Sequence, residues 1–307
     1  MNSIKHYNTL TEYYQKNYQT KVAKIALNAN FTCPNRDGTK GFGGCTYCSK
    51  LGSGDTAGNP MHSIKQQYFE MKEILSKKWP NASYIPYLQA YSNTYASLDK
   101  LKQLYEGILE LDKEYIVGLA IATRPDCFTP ELYEYLAILN QRIPLTIELG
   151  LQTSNEETAK RINRCCTNQE FIECVENLRK RNIEVVAHII NGLPNENDLD
   201  MLNTIDFINA LDIQGIKIHS LLLLKDTILY EQYKEHPFPV QSLEEYVSIV
   251  VQQIARLKPT VIIHRLAADG IEENIVLPKW PLKKLVVMNE IDKLLRKNQI
   301  FQGDQFK

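Results

Sequence analysis

Three thiols sit in one loop of this chain. The run FTCPNRDGTKGFGGCTYC carries Cys33, Cys45 and Cys48, one ligand short of the set that closes a tetrahedral structural zinc site. Iron-sulfur clusters of the four-iron type are held by cysteine thiolates, so three leave one iron free for a ligand that is not protein. An open coordination position belongs to chemistry rather than scaffolding, as it does at catalytic zinc. Spacing alone also admits the scaffolding alternative, a structural zinc site completed from a distance by His62 or Cys127. The chain holds 7 cysteines, an odd number unevenly spread, which argues for metal or redox use in a reducing compartment and against a disulfide framework. Cys165, Cys166 and Cys174 form a second group, read as small buried hydrophobes in preference to an auxiliary metal site.

Charged residues inside apolar runs come next. A buried charge is costly unless paired, so Glu148 in LTIELGLQ and Lys217 in GIKIHS are expected to point into a polar interior. Strand alternation puts Glu148, Gly150 and Gln152 on one face, and Lys217 with His219 on one face. A structural Glu148–Lys217 ion pair is the plain alternative. Arg124 ends an apolar run in ATRPD; its planar fork suits a carboxylate or phosphate, with Asp126 as the competing partner. Ser92, Asn93 and Thr94 are small polar residues that serve a ligand or a turn. His188 and Asn191 precede Gly192-Leu193-Pro194, and His264, Arg265 and Asp269 mark either a substrate mouth or ordinary surface hydrogen bonding.

These residues need elements to hold them. Strands are expected at Lys21 to Ala29, Tyr84 to Ala90, Ile116 to Ala122, Leu145 to Leu149, Val185 to Ile190 and Gly215 to Leu221. Amphipathic segments fall between them, at Ser63 to Lys78, Leu98 to Leu111, Pro130 to Asn140, Asn168 to Lys180 and Leu199 to Ala210. Repeated strand-helix units give a parallel sheet with right-handed crossovers, either an incomplete barrel or a doubly wound sheet. The first strand runs into Cys33, which places the thiols at a strand's carboxyl end, where sites of such sheets are built. After Leu224 the pattern changes to a helix near Leu243 to Leu257, a strand near Val261 to Leu266 and a helix near Leu285 to Arg296. With 307 residues, 44% hydrophobic, the chain supports one large α/β core. The apolar runs are too short to span a bilayer and the opening residues have no signal-like h-region, so a cytoplasmic protein without membrane contact is expected. A net charge of -1 excludes a global basic field; nucleic-acid contact would need a local patch such as Arg179, Lys180 and Arg181, or Lys279, Lys283 and Lys284.

At the cysteine loop the chain resembles the radical S-adenosylmethionine (SAM) superfamily, specifically the YhcC-like bacterial group related to the radical SAM half of the Elongator catalytic subunit. That group shares a spacing between its first two cysteines longer than the CxxxCxxC of most of the superfamily. The resemblance continues through LQAYSNTYA, ATRPD, IELGLQTSNEETAKRINR, HIINGLPNE, GIKIHSLLLLKDT and HRLAADG, nearly the whole chain. It implies a partial (β/α)6 TIM-like barrel, with a core over residues 1–225, a cluster loop at 31–49, and a helix-strand-helix extension at 226–307 packing on the barrel. It implies a 4Fe-4S cluster on Cys33, Cys45 and Cys48 as catalytic and metal-binding residues. SAM would be chelated at the unique iron, and an external one-electron reductant of flavodoxin or ferredoxin type would drive its cleavage. By the same resemblance Tyr47 lies near the adenine, and Ser92 and Asn93 stand where relatives meet the SAM amino group, although the usual GGE-type sequence is missing. Arg124, Glu148, Gln152, His188 and Lys217 would surround SAM or substrate. Cys165 and Cys166 replace a Gly-His pair that relatives carry after INR.

The Elongator relation points to a nucleoside in tRNA as substrate, without acetyl transfer, since no Gly-rich acyl-CoA loop follows the barrel. A small metabolite or protein side chain is the alternative substrate, consistent with the near-neutral charge. A zinc or iron-sulfur module that senses redox state or docks a partner is the non-enzymatic alternative.

Overall fold

The computed structural model describes residues 5–306; the outermost positions of the two expected units, 1–4 and 307, lie outside the described residues. The elements in chain order are α1 (Leu10–Tyr18), β1 (Val22–Leu27), α2 (Ile64–Lys78), β2 (Ser83–Leu88), α3 (Leu98–Leu109), β3 (Leu119–Thr123), α4 (Pro130–Arg142) and β4 (Leu145–Gln152). The short α5 (Glu156–Arg161) and then α6 (Asn168–Arg179), β5 (Glu184–Asn191), α7 (Asp198–Asn209) and β6 (Gly215–Ser220) follow. Last come β7 (Leu223–Leu224), α8 (Ile228–Glu235), α9 (Leu243–Arg256), β8 (Ile262–Arg265), β9 (Ile275–Leu277) and α10 (Lys284–Asn298). Helix starts follow local chemistry: Thr9 with Glu12, Thr167 with Glu170, and Ser242 with Glu245 form reciprocal capping boxes, each satisfying two otherwise orphaned amide groups.

Seven strands make one parallel sheet in the order β1-β2-β3-β4-β5-β6-β8, curled into the partial barrel that the resemblance implies. The period of two sorts the side chains. Ile25, Leu27, Leu119, Ile121, Ile147, Leu149, Val185 and Ile218 face outward and join one core with Tyr68, Tyr105, Leu136, Phe171 and Val250 of the surrounding helices. Val22, Ile85, Tyr87, Ala120 and Ala122 face inward, where Tyr14 of α1 packs against them. The third strand is shorter than its apolar run, with Ile116 reduced to a single bridge with Tyr84.

The segment after residue 225 also contributes to the sheet. Its strand β8 pairs with β6 and becomes the seventh strand of the sheet. Asn8 C=O accepts from Ile263 N–H at 2.9 Å on the outer edge of β8, and Thr9 bridges Ile263. The edge strands β1 and β8 do not pair with each other; α1 packs across the seam between them. Among the described residues no helix is long and apolar enough to cross a membrane.

Candidate functional site

The thiol loop leaves the carboxyl end of β1 and is tied down by its own polar residues. Asn35 Nδ2 donates to Asn163 O at 2.5 Å and approaches Cys45 Sγ at 3.6 Å. Asn163 in turn donates to the carbonyls of Phe42 (3.1 Å) and Gly44 (2.8 Å). Arg36 lies over the Tyr91 ring at 5.4 Å and donates to the Cys48 carbonyl at 3.3 Å. Gly44 has φ +83°, and a Cβ there would stand 2.9 Å from Arg36 Nε, so both conformation and space require glycine.

Cys33, Cys45 and Cys48 are free thiols and line one cavity of about 270 Å³ that descends into the barrel lumen. Burial pushes the Cys45 thiol up to about 11, so it keeps its proton until a metal displaces it. Neither His62 nor Cys127 lines this cavity, and His62 Nδ1 stands 3.1 Å from Glu70 instead; a zinc site completed by either finds no support. Among the described residues no three His, Cys, Asp or Glu side chains close around a single ion, whereas a cluster takes one thiolate per iron. Two buried hydroxyls on the cavity wall, Ser92 Oγ and Ser220 Oγ, have no hydrogen-bond partner. Orphaned buried donors are costly, and a polar ligand in the cavity would offer them partners. The residues present therefore fit a cluster with a polar organic co-ligand.

Deeper in the lumen, Glu148 is the hub of a polar network. Its Oε1 takes Lys24 Nζ at 2.5 Å, and its Oε2 meets His188 Nε2 at 2.8 Å and also pairs with Lys217 Nζ. Lys217 Nζ lies 3.3 Å from Tyr87 Oη. Burial alone would raise the Glu148 carboxyl, yet Lys217, then Lys24 and His188 hold it well below the usual range. Burial, reinforced by Lys24 and Arg265, draws Lys217 down to about 7 against the pull of Glu148. Burial, with help from Lys217, lowers His188 to about 4, so its ring is neutral at pH 7.

The expected site residues divide. Tyr47, Ser92, Arg124, Glu148, Gln152, His188 and Lys217 all line the cavity with the three cysteines. Gln152 sits at a register shift in β4 with φ 68°, the bulge re-aiming its side chain. Arg124 is already committed: its fork is bidentate on Asp126 at 2.9 and 2.8 Å and bonds the Arg164 and Cys165 carbonyls, leaving it a fixed wall charge. Asn93 is corrected. It is off the cavity lining, and its Nδ2 donates to the carbonyls of Leu88, Ala90 and Ala122, which staples β2 to β3. Asn191 likewise turns outward, exchanging hydrogen bonds with Gln253 of α9 at 2.8 and 2.9 Å. Cys174 packs in the helix-sheet core and Cys165 donates to Asn163 Oδ1 at 3.2 Å, so the second cysteine group does not converge. Lys24 and Tyr87 went unpredicted, although Lys24 in VAKIAL carries the signal that exposed Glu148: a charge inside an apolar strand.

Comparison with known proteins agrees with this geometry. The family model described as the Radical SAM superfamily matches residues 33–208, and the Radical_SAM C-terminal domain matches 213–297. The uncharacterized protein YtqA of Bacillus subtilis is 42% identical over 306 residues, covering 100% of this chain and 94% of its own. Protein YhcC of Escherichia coli K12 is 31% identical over 286 residues, 93% of this chain and 91% of that one. Among solved structures, the archaeal Methanocaldococcus infernus Elp3 superposes with TM-score 0.66 at 17% identity, over 92% of this chain and 64% of that chain. A more distant relative, the tRNA-2-methylthio-N(6)-dimethylallyladenosine synthase of Thermotoga petrophila, is 23% identical over 195 residues, 62% of this chain and 43% of that one.

Proposed function

The chain belongs to the radical SAM superfamily, whose enzymes use a 4Fe-4S cluster and SAM, and from that premise we propose that Cys33, Cys45 and Cys48 ligate the cluster while the cavity beneath them receives SAM and substrate. When bound, these cofactors supply one-electron cleavage of the SAM sulfonium to methionine and a 5′-deoxyadenosyl radical able to take a hydrogen atom from substrate. The observation that carries the assignment is the convergence of all three loop thiols on one cavity that also holds two partnerless buried hydroxyls.

The chain's own residues then have separable tasks. Ser92 and Ser220 offer hydroxyls to the polar end of SAM, and Tyr47 walls the cavity beside Cys45. Asn35 donates toward the Cys45 sulfur, a contact of the kind that tunes cluster potential. Gln152 and neutral His188 border the space where substrate meets SAM. The electron comes from an external donor, in our reading a carrier of flavodoxin or ferredoxin type.

The substrate that the geometry favours is compact, a small metabolite or a side chain. Part of the basic runs is spent on neighbouring acids, with Arg179 on Asp212 at 2.9 Å, Arg181 on Glu134 at 2.6 Å and Lys284 on Asp269, while Lys279 bonds the Glu272 and Ile275 carbonyls. A nucleoside in tRNA is the second reading, favoured by the relative whose name is that of a tRNA-modifying synthase. Deuterium separates them. The molecule whose deuterium appears in 5′-deoxyadenosine is the substrate; transfer from tRNA, with binding that weakens steeply as salt rises, would overturn the compact-substrate reading.

A further inference from the structure

The lumen floor carries more positive charge than its acids balance. Lys24 and Lys217 share the single carboxylate of Glu148. Arg265 Nη1 lies 2.7 Å from Asp269 Oδ2, an acid that also pairs with Lys284. At the junction the three lining cations Lys24, Lys217 and Arg265 face the two carboxylates of Glu148 and Asp269, an excess of one positive charge (3 − 2), and Asp269 is also shared with the exposed Lys284. Burial keeps His188 and His219 neutral, so they neither add to the excess nor relieve it. A buried charge without its counterion costs several kcal/mol. Lys217 answers by holding its proton weakly; a bound anion is the other remedy.

The excess sits where two cavities join. Lys217, Arg265 and Tyr87 line the cavity under the thiols and also a second one of about 300 Å³, which opens through the seam between β1 and β8 beside Leu10 and Tyr14 of α1. Lys24, three residues before the end of β1, lies about 10 Å below that strand end at ~3.3 Å per residue, while the thiols lie beyond it. An occupant of the junction is therefore held below the cluster end.

We propose that this junction binds an anionic group of the substrate, a carboxylate or a phosphate, between Lys24, Lys217 and Arg265. The anchored group leaves the rest of the substrate directed toward the thiol end. Only the word substrate rests on the radical SAM reading; anion binding itself does not require the cluster.

The test uses the full chain as purified, with iron content and SAM cleavage recorded on the same preparation. Its thermal midpoint is followed against inorganic phosphate and, separately, acetate, at constant ionic strength set with sodium chloride. A saturable rise with either anion supports the site, because a ligand of the native state stabilises it as its concentration passes Kd; which anion saturates first names the group. Arg265→Met, at the cavity rim, should weaken the response about tenfold or more, as expected for loss of a charge-assisted hydrogen bond. Lys217→Met should do the same if it folds, and Lys160→Met, an exposed residue paired with Glu157, should leave the response unchanged. No saturable rise with either anion, or a rise undiminished in Arg265→Met, overturns the proposal. Failure here with iron and SAM cleavage intact sinks this site alone; loss of those two with the anion response kept sinks the radical assignment instead.

Discussion

Glu148→Gln is the perturbation with the largest consequence worked from the structure. The wild-type carboxylate is fully buried and takes three partners, Lys24, His188 and Lys217. The amide that replaces it is neutral and nearly the same size, so packing is kept while Lys24 loses its counter-charge and Lys217, already drawn down to about 7, loses the carboxylate that helps hold its proton. Breaking a buried pair from one side costs about 3–5 kcal/mol, because the stranded charge stays desolvated. At about 2.1 cal/mol/K of unfolding entropy per residue, that is on the order of 5–8 °C in Tm for a chain of 307 residues. The assay is thermal unfolding at pH 7 with wild type and variant at matched iron content. A second variant isolates the cause. In Glu148→Gln/Lys217→Met the buried Lys217 amine that lost its partner is gone, so the double variant should be more stable than Glu148→Gln alone, as expected for contacting residues. A Glu148→Gln loss below about 0.5 kcal/mol, the ordinary range for surface changes, would refute the hub role. Additive losses in the double variant would refute it as well.

Other perturbations follow from the same geometry. His188 is lowered to about 4 by burial, so between roughly pH 6.5 and 4 the unfolded chain binds the extra proton and stability falls as pH drops; His188→Gln should flatten that limb of the urea-midpoint profile, and an unchanged slope would contradict it. Gly44→Ala forces a Cβ into the left-handed region against Arg36, at about 1–3 kcal/mol of local strain, and should lower iron per chain on reconstitution. Gly107→Ala in α3, where an added Cβ meets nothing within 4 Å, should instead gain up to about 1 kcal/mol without touching iron content. Asn93→Ala strips a shared donor from three buried carbonyls, and should cost on the order of 3 kcal/mol in urea unfolding; a neutral result would mean that the β2–β3 staple is unimportant.

Much of the fold is legible in the sequence because the signals are local. VAKIAL, LAIAT and GIKIHS announce strands by composition, and the charge inside LTIELGLQ is enough to mark a lumen-facing position. What stays hidden depends on tertiary placement. Asn93 and Ser92 are neighbours of similar character, yet one staples two strands and the other lines the cavity and has a buried hydroxyl without a partner; only strand geometry distinguishes them. The β8 strand is four residues long and ends in His264 and Arg265, a polar pattern that conceals its place as seventh strand. Helix α1 lies in a polar, tyrosine-rich segment, but the Thr9-x-x-Glu12 capping box marks its start and is readable. Arg124 shows the converse: its type fits an anion site, and a residue two positions away has already claimed it.

The cluster assignment is tested most directly by anaerobic reconstitution of wild type and of Cys33→Ala, Cys45→Ala, Cys48→Ala and Cys174→Ala, reading iron per chain and 5′-deoxyadenosine released from SAM under reductant. Wild type and Cys174→Ala should hold about four irons per chain, the complement of one such cluster, and release 5′-deoxyadenosine, while each loop variant loses both. Stable zinc with no SAM cleavage in wild type, or cleavage that survives loss of any one of the three loop thiols, would contradict it.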